Sequence, residues 1–118
     1  METDTQLFIN NSKKDLLELV KLNDILYLES IEKYTRVICC SNQQFTICKC
    51  LSQVEEKLPE IHFFKIHKSF IINVGYIKSI HSGPVKLVTF QNGIELKIAE
   101  RRYKDLINFI KSKYLVLG

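Results

Sequence analysis

Residues 63–73 read Phe-Phe-Lys-Ile-His-Lys-Ser-Phe-Ile-Ile-Asn, two apolar runs broken by the polar triplet His67-Lys68-Ser69. Phe63–Ile66 and Phe70–Ile72 each have the length and composition of a buried strand. A chain that leaves a core, exposes three polar residues and re-enters it holds those side chains on a rigid mount. All three are hydrogen-bond donors, and lysine is cationic at neutral pH. Such a mount suits an anion, above all a phosphate with a base edge beside it. The plainer alternative is a hairpin turn that happens to be polar.

Working outward, 118 residues make one domain with a core of its own, and 46% hydrophobic with 25% charged residues is ordinary globular composition. No apolar run approaches the roughly 20 residues that span a bilayer, so no membrane association is expected. Met1-Glu2-Thr3-Asp4 is acidic and polar, unlike a signal peptide, and residues 1–5 are expected to form a flexible N-terminus. Four cysteines without an export signal imply free thiols in a reducing, cytoplasmic compartment. The charge is uneven. Residues 1–62 carry 7 Lys/Arg and 10 Asp/Glu, a net −3, whereas residues 63–118 carry 10 and 3, a net +7. A polyanion engaged mainly by the C-terminal half follows.

Gln6–Ile9 is a short apolar segment ended by a turn at Asn10-Asn11-Ser12-Lys13. Leu16–Leu22 follows and alternates imperfectly, with Leu17, Leu19 and Leu22 marking one face. Ile25–Glu29 reads as a strand buried on one full face, and Ser30–Tyr34 as a polar loop. Arg36–Cys40 and Phe45–Cys50 are strands joined by a four-residue connection. Leu51, Val54 and Leu58 then change the period to that of a two-turn helix, stopped by Pro59. Strands are expected at Ile77–Ile80 and Val85–Phe90. Asn92-Gly93 predicts a type I′ hairpin into Ile94–Ile98, and a helix runs from Glu100 to about Lys113. About eight short strands without βαβ spacing describe a mostly β, antiparallel domain.

No glycine-rich phosphate loop or nucleophile motif is present, so neither an enzyme nor a cofactor is expected. Cys39 and Cys40 point to opposite faces of a strand, which argues against a zinc knuckle, and the four thiols read as small buried hydrophobes. Three donor-rich places remain: Glu32–Arg36, His67–Ser69 and Glu100–Arg102. Antiparallel topology can gather them along one edge. Together with the charge excess they favour nucleic acid over a protein-interaction module built on exposed strand edges. RNA ranks third, because no aromatic stacking platform is evident.

At these residues the chain resembles the LytTR-type DNA-binding domain of bacterial transcription regulators. The resemblance rests on Asp24–Ser30, Tyr34–Val37, Leu51–Leu58 with Pro59, FFKIHKSFIIN, Tyr76–Ile80, Asn92-Gly93 with the strand after it, and Arg101-Arg102-Tyr103. It covers roughly residues 6–110. It implies an elongated row of small antiparallel β-sheets with one short internal helix and a C-terminal helix, whose loops enter successive major grooves of double-stranded promoter DNA. By position, the first DNA loop is Lys33, Tyr34, Thr35 and Arg36, with Thr35 and Arg36 as principal contacts. The second is His67 and Lys68, and the third Arg101 with Arg102. Ser69 and Asn73 hold the turn. Two departures stand out: Lys68 where the family commonly has arginine, and Glu100 in place of a serine. The resemblance further implies repeated DNA sites and a dimer on DNA, and makes the chain either an output domain whose longer parent chain carries an input domain such as a receiver, or a stand-alone regulator.

Overall fold

The computed structural model describes residues 6–11 and 16–118. In chain order the strands are β1 (Gln6–Asn11), β2 (Leu16–Lys21), β3 (Ile25–Ile31), β4 (Tyr34–Cys39) and β5 (Gln44–Ile47). Helix α1 (Leu51–Glu55) follows. Then come β6 (Phe63–His67), β7 (Phe70–Asn73), β8 (Ile77–His81), β9 (Leu87–Phe90), β10 (Glu95–Lys97) and α2 (Glu100–Lys113). They form three antiparallel sheets: β1–β2, a central five-stranded sheet ordered β5-β4-β3-β7-β6, and β10-β9-β8. The molecule is elongated, 49 × 36 × 25 Å. Three small sheets in a row is the architecture the resemblance implied.

Strand β3 lies at the centre of this arrangement and faces two cores. A bulge between Ile25 and Tyr27 breaks strict alternation. Consequently Ile25 and Leu28 join the cluster with Ile9, Val20, Val37, Leu51 and Ile71. Leu26 and Tyr27 turn the other way, to Ile66, Ile72, Val88, Phe90 and Leu106. The expectation of one buried face was therefore too simple; both faces are covered. Tyr27 stacks on Phe90 at 6.0 Å and meets Phe70 edge-on at 6.3 Å, which couples the central sheet to the third. Each such aromatic pair adds about 0.5–1.5 kcal/mol beyond the area it buries.

Several boundaries moved, each for a local reason. Asn10 and Asn11 continue β1, paired with Leu17 and Leu16, while Ser12 and Lys13 of the expected turn and the N-terminal residues 1–5 lie outside the described residues. On β2 the inward side chain is Val20, and Leu17 and Leu19 face out, with Phe8 paired across from Leu19. Ser30 and Ile31 are paired strand residues, so the first connection shrinks to Glu32-Lys33. Strand β5 stops at Ile47, and α1 is a single turn and a half. At Asn92-Gly93 only Gly93 has a positive φ, 91°. Its N–H donates to the Phe90 carbonyl at 2.9 Å, which makes a three-residue connection with glycine in the left-handed position rather than a type I′ turn.

Candidate nucleic-acid interface

Two backbone hydrogen bonds bring the three donor-rich segments together. Strand β7 lies between β3 and β6, so the β3–β4 and β6–β7 turns emerge at the same end of the central sheet. There the Ser30 N–H donates to the Ser69 carbonyl at 2.9 Å. On the far side of β6 the Ala99 N–H donates to the Ile66 carbonyl, also at 2.9 Å, which docks the start of α2 beside His67. The first connection is held tight. Glu32 has φ 54°, a strained value for a residue with a side chain, kept in place by the pairs Ile31–Tyr34 and Ser30–Thr35.

Within the first segment the side chains take different places. Lys33 and Tyr34 are exposed. Thr35 is fully buried, and its hydroxyl donates to the Lys49 carbonyl at 2.8 Å. The threonine expected to touch a base is thus internal; it pins the turn to the segment that leads into α1. Arg36 lies 3.5 Å from Glu29 across the β3–β4 pair, its fork half-exposed.

In the second segment the Ser69 N–H donates to His67 Nδ1 at 3.1 Å. A nitrogen that accepts carries no proton, so the ring hydrogen sits on Nε2, which becomes a fixed donor. The imidazole also leans on Phe70 at 5.6 Å. Asn73 serves a different turn from the one expected: its amide donates to the Ile25 carbonyl and its oxygen accepts from the Gly75 N–H, both at 3.0 Å.

Between the second and third segments lies a cleft of about 450 Å³ lined by Lys65, His67, Lys68, Arg101 and Arg102, with Glu55 and Asp105 at its rim. Two of its cations are already paired, Lys65 with Glu55 at 3.9 Å and Arg102 with Asp105 at 3.4 Å. Arg102 is tied further. Its Nε donates to the Lys65 carbonyl at 2.9 Å, and its guanidinium covers the Phe64 ring at 4.8 Å. Two of its five N–H donors are engaged, one on β6 and one on Asp105, so Arg102 ties α2 to β6 while still lining the cleft. Lys68 and Arg101 are exposed and have no ion-pair partner among the described residues. They leave the cleft with an unbalanced positive charge.

Sequence reading missed Lys65, although it stands two residues before His67 on the same strand. It also missed Lys86, whose ammonium bonds Glu100 at 3.4 Å and lies 5.2 Å from the Tyr103 ring. That pair balances the carboxylate of Glu100, the residue that departs from the family's serine. The cysteines divide as well. Cys39 is buried, and burial pushes its thiol up to about 11, but Cys40 and Cys48 are exposed and Cys50 is half-buried at the start of α1. Only one of the four is a core residue.

The family model for the LytTr DNA-binding domain matches residues 15–111. The chain belongs to this family. LytTr relatives include the transcriptional regulatory protein YpdB of Escherichia coli K12, 34% identical over 79 residues that make up 67% of this chain and 31% of YpdB. The sensory transduction protein LytT of Enterococcus faecalis V583 is 37% identical over 94 residues, 78% of this chain and 38% of LytT. The chain thus spans about a third of the length of these regulators. A solved LytTr domain from Bacillus cereus superposes with a TM-score of 0.75 at 24% identity, covering 90% of this chain and 96% of that one. This likeness supports the LytTr fold described above. Among the described residues no helix is long and apolar enough to cross a membrane.

Proposed function

We propose that this LytTr domain is the output domain of a transcription regulator and binds promoter DNA as a duplex, laying its three linked segments into the major groove without a catalytic step. Lys33, Tyr34 and Arg36 form the first contact, His67, Lys68 and the Ser69 turn the second, and Arg101 the third. Thr35 and Arg102 hold these segments in place. The observation that carries the reading is the unbalanced charge of the cleft, where Lys68 and Arg101 converge beside the fixed Nε2 donor of His67. Arginine forks onto guanine O6 and N7, an imidazole N–H fits the same acceptors, and lysine serves phosphate. An input domain such as a receiver on a longer parent chain belongs to the same reading, as do repeated sites filled by two copies.

A gel shift on duplex DNA selected from a random library, repeated across salt concentrations, tests this. The logarithm of affinity should fall linearly with the logarithm of salt, at a slope near −0.9 per phosphate neutralised. A flat response would remove DNA from the reading and favour a protein partner.

A further inference from the structure

A second cleft, of about 340 Å³, opens on the other side of His67, between the β8–β9 connection and the start of α2. Its walls differ in kind from those of the basic cleft. Pro84, Val85, Ile98 and Ala99 line it together with His67, Lys97 and the Lys86–Glu100 pair. Val85 is 56% exposed. Its position is fixed rather than loose, because the next residue's carbonyl accepts from the Ile98 N–H at 2.9 Å. His67 lines both clefts, which links this one to the surface that carries the basic segments.

In the major groove the base edges offer donors, acceptors and a single apolar group, the thymine 5-methyl. We propose that Val85 and Pro84 form a thymine-methyl subsite next to the base read by His67, making the β8–β9 connection a fourth specificity element. The inference rests on the DNA-binding reading above. It assigns readout to residues outside the three segments, and to shape and apolar contact rather than hydrogen bonding.

The test uses the whole protein and the duplex it selects from a random library. Each thymine is replaced in turn by deoxyuridine, which deletes the methyl and leaves every hydrogen-bonding group. At one position next to a guanine the affinity should fall about fourfold, the worth of one buried methyl group. In Val85→Ser that position should bind thymine and uracil duplexes alike, while the remaining positions keep the parent's preferences. Pro84→Ser should reduce the methyl dependence in the same direction, and an unchanged melt confirms that both variants are folded. Methyl dependence that survives both substitutions, or a selected site indifferent to every thymine methyl, overturns the subsite while leaving DNA binding intact. Failure to enrich any duplex overturns the DNA-binding reading and this inference with it.

Discussion

The Glu32-Lys33 turn and the cleft between His67 and Arg101 sit side by side, yet they handle charge in opposite ways. Around the turn, Lys33 and Arg36 face Glu29 and Glu32, and the one close pair, Arg36 with Glu29, is already made. Around the cleft, four cations meet two carboxylates, and Lys68 with Arg101 is left over. A neutralised fork can still read a guanine, but releases few counterions when it docks. An unpaired lysine and arginine release counterions at every phosphate they meet. The difference teaches that salt-dependent affinity is concentrated in the cleft, whereas base preference is shared between the cleft and the turn.

The largest effect should come from removing the leftover charge. Lys68→Ala combined with Arg101→Ala should make the salt slope shallower by about one unit through Lys68 and cost about 1–3 kcal/mol on the specific duplex through Arg101. Arg36→Ala should relax preference at one base pair while moving the slope little, because Glu29 already neutralises it. Equal slopes for Arg36→Ala and Lys68→Ala in a salt titration would break the comparison.

Next is the buried hydroxyl behind the turn. Thr35→Val keeps the shape and orphans the Lys49 carbonyl, so urea denaturation should show a loss of about 1–3 kcal/mol. A variant as stable as the parent would mean that the turn is not held from inside.

Arg102→Lys sharpens the other side. Lysine keeps the charge but cannot donate from a fork to the Lys65 carbonyl while covering Phe64. Stability should fall by about 1 kcal/mol, with weaker discrimination at the position read by Arg101 and an unchanged salt slope. A variant as stable and as discriminating as the parent would show that Arg102 does not tie α2 to β6.

The smallest effect belongs to Glu29→Gln. Releasing Arg36 from its half-buried partner should change stability by less than about 1 kcal/mol. The salt slope should steepen, by up to about one unit, as the freed guanidinium finds a phosphate. No change in slope would show that Arg36 never approaches the backbone.

Much of this molecule was legible from residue order alone. Hydrophobic period and turn chemistry mark β6, β7, β10 and α2 nearly to the residue, because a strand or helix with one wet face must repeat its apolar positions. The position of the donor-rich places followed too, since they interrupt those repeats; of the triplet His67-Lys68-Ser69, expected to be exposed throughout, only Lys68 is, and His67 and Ser69 are half-buried. What residue order could not supply was partnership. Thr35 and Arg102 look like contacts until the chain folds and places the Lys49 and Lys65 carbonyls beside them. The β3 bulge sends Leu26 and Tyr27 into the same core against the period of two, and Val20 instead of Leu17 turns inward on β2. Local pattern fixes which residues are apolar or ionic, and those properties belong to each side chain alone. Which cation stays unpaired, and which hydroxyl is spent internally, depends on atoms some 14 to 37 residues away in the chain, so only the tertiary structure decides it.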